Sequence, residues 1–534
     1  MKIVLTLLTL LLSTILMCQQ RTVYLSDILE EAIFSGREKV IYQDVELSLD
    51  NIPEVKNLSY GYPYQYRSTA SYLKSKYPSI ALDSIGRVIV PSSVELISYL
   101  GELPLDSLVF EKGLIVTNSE DKLLEPSDVS INDCLINGLD IRSNIIGYVT
   151  IEASQINSNL EVHVANGGVG IYRSNINVEK GIQIFSGSIW LDRNTFQVTD
   201  SIQLRTGKAK ESDFIDKLSS TNHFIFQSNE NISFTNNIFN YGVVDLIEMD
   251  LQNLYMTGNS FTNTVTLDRA IIKDRVVIYD NEFANGFSLS QTVLPELLVN
   301  IDWEQLKGNK LYINADQTAA ETTSGFACHN CLPYFGKTNE ELARKDRFRE
   351  LITVYTKLYR INKEDGDISS ANGAYAELQG LYTRRYEYVS QTEGGLENWF
   401  KWQLNQLLEY YVVYGTAPAR ALVVSFYIIL AFSIFYFFFP SEWDTTSKKQ
   451  LLEQFKLILD KKHKQIARPL MKTTGLFVLS FVNAFTLSIN SLVTLGFGTI
   501  PTKGLARYVC IIQGFIGWFL LSLFTVALIN QVIF

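Results

Sequence analysis

Metal ligands and surplus basic residues are both scarce in this sequence of 534 residues. It has four histidines and five cysteines, and 46 basic residues against 56 acidic ones give a net charge of −10. A nucleic-acid partner requires a basic surface, so this balance argues against one. Cys328 and Cys331 form a lone Cys-x-x-Cys, whereas a zinc site needs four ligands. The pair therefore predicts a structural role, such as a local disulfide, with no confident metal site and no cofactor.

A small-x-small cleavage site is missing from the N-terminus, although the other parts of a signal peptide are there. One basic residue precedes an apolar run from Ile3 to Met17, which is short for a membrane span. We therefore interpret residues 1–18 as a signal peptide. Cys18 follows a poor version of a bacterial lipoprotein box, so lipidation of Cys18 is an alternative.

A repeated pattern dominates residues 111–312. The frame apolar-x-x-polar-x-apolar begins every 20 residues at Ile131, Ile151, Ile171 and Leu191, and every 22 residues at Phe234, Met256 and Ile278. Its polar fourth position is occupied by Ser154, Ser174, Asn194, Asn237, Asn259 and Asn281. Such side chains, stacked at one corner, can hydrogen-bond along an axis and tolerate left-handed turns. The pattern predicts a right-handed parallel β-helix of about nine coils.

Clustered carboxylates, which a polysaccharide hydrolase built on a β-helix would need, are not evident in this sequence. Asp192, Asp268 and Asp280 lie beside the repeats, but they occupy different columns of the frame. Such residues are more often solvated turn residues than catalytic ones. We therefore expect no enzyme.

The segments on either side of the repeats carry no recognisable chemistry. Residues 19–110 mix short strands and helices, including a predicted helix over 93–101, and we expect them to cap the repeats. Residues 313–338 form a linker that contains the Cys-x-x-Cys pair. Residues 339–395 predict a helical hairpin whose second helix begins at a Ser369 cap. The hairpin would transmit force, pack subunits, or act as a spacer.

Residues 396–534 alternate between apolar and polar stretches. An aromatic helix over 397–414 predicts a segment lying at a membrane surface, and uncharged runs over about 421–439 and 508–533 predict two spans. Between them, a helix over about 480–493 predicts a pore helix that dips into the bilayer, because its polar residues need water or protein around them. Those residues, expected to face one way, are Asn483, Thr486, Ser488, Asn490 and Ser491.

A glycine-punctuated pentapeptide follows that helix, and its residues are Thr494, Leu495, Gly496, Phe497 and Gly498. Glycines allow backbone angles that other residues resist. An ion-selectivity filter needs such angles, because its backbone carbonyls must point inward to replace the hydration shell of an ion. The segment therefore predicts a selectivity filter.

The same region resembles bacterial potassium-channel-family proteins, through Tyr414-Gly-Thr-Ala-Pro418, the Thr-Leu-Gly-Phe-Gly segment and Leu505-Ala-Arg507. The resemblance implies an all-α two-span pore domain, a homotetramer in the lipid bilayer, and K⁺ as the permeant ion. Phe497 replaces the usual tyrosine and Thr499 the usual aspartate, which leaves the selectivity open. Gly514 and Gly517 would form a gating hinge or allow close helix packing.

Two signals that agree with each other determine the expected membrane orientation. A signal peptide places the β-helix outside the cytoplasm. The loop over 441–474 carries eight basic and four acidic residues, which favours the cytoplasm for that loop. Together they predict a pore loop entering from the cytoplasmic face of a bacterial inner membrane, the inverse of the arrangement that the resemblance implies.

Two functions remain open at this point. The first is a tetrameric channel for K⁺ or a similar monovalent cation, in which the β-helix senses an unknown ligand or gates the pore. The alternative is a membrane-anchored β-helix that binds a polysaccharide or a protein, with a non-conducting anchor that resembles a pore.

Overall fold

A computed structural model describes most of the chain. The described residues are 21–50, 54–57, 64–97, 99, 102–118, 127–143, 146–178, 182–198, 202–206, 231–241, 244–246, 249–295, 298–308, 310–313, 337, 339–439, 449–453, 455–456, 467–494 and 504–532. The chain divides into two compact units, Met1–Tyr375 and Ala376–Phe534. The predicted signal peptide with Cys18, the Cys328–Cys331 pair and residues 495–498 lie outside the described residues.

The first unit is a β-solenoid of about 10 turns. Its strands are β1 Arg21–Tyr24, β2 Lys39–Gln43, β3 Val45–Ser48, β4 Glu54–Asn57, β5 Tyr64–Arg67, β6 Val88–Val90, β7 Ser93–Ile97, β8 Leu103–Asp106, β9 Leu108–Phe110, β10 Leu114–Asn118, β11 Ser127–Asn132, β12 Leu135–Ser143, β13 Ile146–Glu152, β14 Gln155–Tyr172, β15 Asn175–Val178, β16 Ile182–Asp192, β17 Thr195–Val198, β18 Ile202–Thr206, β19 Asn231–Thr235, β20 Ile238–Asn240, β21 Val244–Asp245, β22 Asp250–Thr257, β23 Ser260–Phe261, β24 Val265–Thr266, β25 Ile271–Tyr279, β26 Glu282–Phe283, β27 Phe287–Ser288, β28 Val299–Ile301 and β29 Leu311–Tyr312. Apart from the antiparallel pair β4–β5, the paired strands run parallel, as coils stacked along one axis require.

The core of the solenoid follows the predicted frame. The first apolar positions stack in register along the coils, as in the pairs Ile151–Ile171 and Leu191–Phe234. The sixth positions form a stack of phenylalanine rings with centroids 4.8, 4.9 and 5.3 Å apart, made by Phe196, Phe239, Phe261 and Phe283. These separations match the distance between neighbouring strands, so each ring packs on the ring of the next coil. The predicted β-solenoid is confirmed.

The polar fourth positions form a continuous hydrogen-bonded ladder inside the solenoid. Each backbone N–H donates to the side-chain oxygen one coil further on, over distances of 2.9–3.1 Å. The ladder runs in order through Cys134, Ser154, Ser174, Asn194, Asn237, Asn259, Asn281 and Gln305. The predicted stacking is confirmed, and the structure adds Cys134 and Gln305, one on each side of the predicted positions.

The left-handed residues of the corner lie one position earlier than expected. The third position of the frame, not the fourth, has positive φ, as in Ala153 (49°), Arg193 (55°) and Asn236 (54°). In the coil that contains Asn259 a glycine, Gly258, takes this place with φ of 67°. The left-handed residue turns the chain, and the next side chain can then point inward to form the ladder.

The solenoid begins before residue 111. Strand β7 pairs with β2 on one side and with β10 on the other, so residues expected only to cap the repeats contribute coils. Residues 93–97 are a strand where a helix was predicted, and that prediction is wrong. The reason is a period of two, because Val94 and Leu96 are buried while their neighbours are only partly covered. Two short helices, α1 Leu25–Phe34 and α2 Thr69–Lys76, also belong to this region.

The predicted hairpin consists of α3 Asn339–Ala343, α4 Lys345–Glu364 and α5 Ile368–Thr392. The side chain that caps α5 is Asp367, whose Oδ1 accepts the N–H of Ser370 at 3.1 Å, so the predicted Ser369 cap is wrong. Ser370 Oγ in turn accepts the N–H of Trp303 at 3.1 Å, at the end of the solenoid. A Cβ on Gly373 would lie 2.1 Å from the Trp303 ring, so this glycine permits the close packing.

Asp268 is buried, which corrects its interpretation as a solvated turn residue. Its side chain lies in the solenoid with 2% exposure. Its Oδ1 accepts hydrogen bonds from Ser288 Oγ and from the backbone N–H of Ser290, the latter at 2.9 Å. Burial raises the pKa of Asp268 to about 6, although these hydrogen bonds act in the opposite direction.

We expect Asp268 to make the solenoid less stable as pH rises. Because the folded-state pKa is raised above the unfolded value, its stabilising contribution is full below about pH 4 and is lost as pH rises through about 6. The loss amounts to about 3 kcal/mol. Asp268→Asn should flatten the stability curve between pH 4 and 7, measured by urea unfolding. The exposed corner variant Asp280→Asn is the control, and a curve for Asp268→Asn as steep as that of the wild type would contradict the prediction.

The second unit contains the remaining helices. These are α6 Leu396–Val412, α7 Pro418–Phe438, α8 Ala467–Val493 and α9 Leu505–Val532, with a short 3-10 turn at Val413–Gly415. Pro418 begins α7, because proline is tolerated in the first turn of a helix. The first unit therefore contributes a β-solenoid, and the second is all-helical in its described part.

Candidate functional site

Three helices of the second unit are long and apolar enough to cross a membrane, over Pro418–Phe438, Thr473–Val493 and Leu505–Ile529. The second of these lies in α8, which has 27 residues and extends about 40 Å, so the predicted pore helix over 480–493 is too short. The polar start of α8 concealed its length. Pro469 lies within the first turn, where it breaks no helical hydrogen bond.

Gln513 connects the three apolar helices from a fully buried position. Its Nε2 donates to the backbone oxygen and to Oγ of Ser488 on α8, at 3.0 and 2.8 Å. Its Oε1 accepts the hydroxyl of Tyr436 on α7 at 2.8 Å. Ser488 Oγ donates to the backbone oxygen of Ile429 at 2.8 Å, which adds a second link between α7 and α8. The helix before the predicted filter is therefore held on both neighbours by polar contacts.

Gly517 brings α9 close to the end of α8. A Cβ on Gly517 would lie 2.2 Å from the backbone oxygen of Leu492, two residues before the predicted filter. Glycine at position 517 thus permits close helix packing, one of the two roles predicted for it from the sequence. Helix α9 continues without a break through Gly514 and Gly517. The gating hinge stays a prediction.

The polar residues of α8 occupy two faces, so the expectation that they face one way is wrong. Ser488 and Ser491 are buried against the neighbouring helices, with exposures of 0 and 3%. Asn483, Thr486 and Asn490 lie on another face at helical spacing, where Thr486 is exposed and the two asparagines are partly covered. The face with Ser488 and Ser491 packs against other helices of the same chain. The face with Thr486 points away from them, on a helix that is otherwise mostly apolar.

Thr494 is the one residue of the predicted filter within the described part of the chain. Its N–H and its Oγ1 both donate to the backbone oxygen of Asn490, at 2.9 and 2.6 Å. These contacts continue the hydrogen-bond pattern of α8 through Thr494. The remaining filter residues, 495–498, are outside the described residues.

Helix α6 is shorter than the aromatic helix predicted over 397–414. Val413 and Tyr414 have φ of 48° and 56°, so the helix ends at Val412 in a left-handed turn. Trp399 and Tyr410 are 51 and 67% exposed. Such half-exposed aromatic residues are common where helices meet a membrane surface.

Sequence reasoning did not identify Gln513 as the residue that links the three apolar helices. The signal was available, because no other Gln, Asn or charged residue occurs between Tyr508 and Leu528. A lone amide in such a segment is costly in lipid unless a neighbouring helix supplies its partners. Its partners could not be named, since they lie 25 and 77 residues away in sequence.

Among the described residues, no group of three or more His, Cys, Asp or Glu side chains could hold a metal ion. Comparison with known protein families, curated proteins and solved structures finds no match to this chain. Any functional conclusion therefore depends on the residues of this chain.

Proposed function

We propose that the second unit forms the pore of a tetrameric channel for K⁺ or a similar monovalent cation. In this proposal α7 and α9 span the bilayer and the C-terminal half of α8 is the pore helix. The observation that supports it most is the set of hydrogen bonds by which Gln513 connects α8 to α9 and α7. These bonds hold α8 shortly before its end, where Thr494 and the glycine-punctuated segment follow. A pore helix must be held rigidly, because it positions the carbonyls that coordinate the ion.

The outward polar face of α8 supports an assembly of several copies. The Asn490 amide would be unfavourable against lipid, so this face should meet another copy of the chain or water. Each chain supplies one filter segment, and a filter of the potassium-channel type is made of four. The proposed permeation path is lined by Thr494, Leu495, Gly496, Phe497 and Gly498 from four chains.

Planar-bilayer recording of the purified full-length protein tests the channel. We expect monovalent cation currents that Gly496→Val abolishes, because a branched side chain restricts the backbone angles that a filter requires. Gly475→Ala is the matched control, since nothing lies within 4 Å of a Cβ at that position of α8. Confirmed tetramers that stay silent under all conditions would contradict the channel and favour the alternative function.

The alternative is a membrane-anchored solenoid that binds a polysaccharide or a protein, with the apolar helices serving only as an anchor. A cleft with aromatic rings on the outer face of the solenoid favours keeping this alternative. In that case currents would be absent while ligand binding persists.

The orientation proposal is an extracytoplasmic solenoid with a pore helix entering from the cytoplasmic face. If α7 and α9 cross and α8 only dips, a reporter fused after Phe534 should be active outside the cytoplasm. If α8 crosses as a third span, the same reporter should be active inside, which would overturn the two-span arrangement.

A further inference from the structure

Two glycines on one face of strand β14 lie beneath three aromatic rings. A Cβ added to Gly168 would lie 2.5 Å from Cζ3 of Trp190 and 2.9 Å from the ring of Tyr148. A Cβ added to Gly170 would lie 2.6 Å from the ring of Tyr172. Because these two positions have no side chain, the three rings can pack flat against the sheet. We call the rings of Tyr148, Tyr172 and Trp190 the aromatic platform.

The aromatic platform forms the floor of a cleft of about 290 Å³. The rings of Tyr148 and Trp190 have centroids 6.4 Å apart and planes inclined by only 34°. A cage for an organic cation would surround its ligand with steeply inclined rings. These rings are closer to coplanar, so they suit a ligand that is itself flat-faced. Tyr148 is 57% exposed, and its ring is therefore available to solvent.

The lining of the cleft is uncharged. Besides the three rings it includes Val149, Thr150 and Gly170, so hydroxyl groups supply its polar contacts. Three carboxylates lie on neighbouring parts of the strands. Glu152 pairs with Arg173, Asp192 lies 3.5 Å from Arg193, and Asp128 Oδ1 accepts the backbone N–H of Tyr148 at 2.9 Å. Glu152 and Asp192 are therefore already balanced by arginines of the chain. A neutral ligand with hydroxyl groups fits better.

Polar and aromatic residues continue along the same face in later coils. Gly168 is in register with Ser188, and Ser188 with Asn231, while Asn253 Nδ2 donates to Asn231 Oδ1 at 2.7 Å. Tyr255 lies two coils beyond Trp190 in the same column, about 10 Å away. The face therefore offers aromatic surface at intervals along the axis, with hydroxyl and amide groups between.

We propose that the aromatic platform binds a neutral oligosaccharide or polysaccharide that lies along the solenoid axis. A sugar ring has a face of C–H groups, which packs on an aromatic ring, and hydroxyl groups at its edge, which hydrogen-bond to polar neighbours. Trp190 and Tyr148 supply the stacking surface, and Thr150 and Tyr172 supply hydroxyl groups. The proposal does not depend on the channel, because it concerns the solenoid alone.

Calorimetric titration of the full-length protein in detergent tests the proposal. The probes are the neutral hexasaccharides of cellulose, laminarin, xylan and mannan, with hexagalacturonate and choline as charged probes. We expect saturable binding of at least one neutral hexasaccharide, weakened about tenfold or more by Trp190→Ala. The matched control is Tyr241→Ala, an aromatic residue with 72% exposure outside the platform, which should leave the affinity unchanged.

A second variant guards against a general loss of folding. Gly168→Ala keeps all three rings but displaces those of Trp190 and Tyr148 from the sheet, so it should weaken binding. The thermal midpoint of Trp190→Ala should stay near that of the wild type. Absence of binding to every neutral probe, or equal affinity in Trp190→Ala, would overturn the proposal. Preferential binding of choline or hexagalacturonate would overturn it as well. Currents without saccharide should be the same in Trp190→Ala and wild type, which separates this test from that of the channel.

Discussion

Asn237→Ala should destabilise the solenoid by about 3 to 5 kcal/mol. Asn237 Oδ1 accepts from the backbone and side chain of Asn194, both at 3.0 Å, and its Nδ2 donates to the backbone oxygen of Leu191 at 2.9 Å. Alanine removes these partners in a fully buried place. Each abandoned buried group costs about 1 to 3 kcal/mol.

Two further variants show whether the ladder is the cause. Asn237→Ser should lose less stability, because Ser154 and Ser174 already accept a backbone N–H at their own rungs. Asn285→Ala should change little, since that exposed residue makes a single hydrogen bond to the backbone of Thr262. Urea unfolding followed by circular dichroism measures all three. Equal stability of the Ala and Ser variants at position 237 would refute the ladder as the source of the effect.

Gln513→Leu should loosen the helical unit and abolish or strongly reduce conduction. Leucine fills a similar volume but removes the acceptor of the Tyr436 hydroxyl and the donor to the backbone oxygen of Ser488. Interhelical hydrogen bonds in membranes contribute about 0.6 to 1.7 kcal/mol each, so we expect a loss of about 2 to 3 kcal/mol. If α8 is the pore helix, the filter would lose its support and selectivity among monovalent cations would fall.

Thermal unfolding in detergent and bilayer recording together separate the two consequences. Ser522→Ala is the control, because that exposed hydroxyl donates only within its own helix, to Trp518. A double-mutant cycle with Tyr436→Phe should show coupling between the two positions. Additive effects, or normal selectivity in a destabilised Gln513→Leu protein, would rule out a positioning role for Gln513.

The repeat could be predicted because its period can be counted from the sequence alone. Each rung recurs after 20 or 22 residues, so Asn194, Asn237 and Asn259 could be aligned without knowledge of the fold. The left-handed corner residue could not be distinguished from its neighbour, since both positions accept polar residues. The coils before residue 111 escaped detection because their spacing is irregular, although Val94 and Leu96 alternate as strand residues do.

In the helical unit, sequence composition predicted the apolar helices but not their contacts. The bounds of α7 and α9 differ from the predicted spans by a few residues, because long uncharged runs are a strong signal. The length of α8 was underestimated, since Arg468 and Lys472 interrupt the apolar pattern near its start. The contacts of Gln513 depend on how three helices pack, and that is a tertiary property which periodicity does not reveal.

Gln305 gives the solenoid a finished end. It accepts the last rung of the ladder from Asn281 at 3.0 Å, and its own amide donates back to the backbone oxygens of Ile278 and Asp302. Trp303, packed under Gly373 of the hairpin, covers the same end. An open stack of parallel strands invites a further strand from another molecule. Here the amide that ends the ladder is already paired within the chain, so it offers no open rung to a further strand from another molecule.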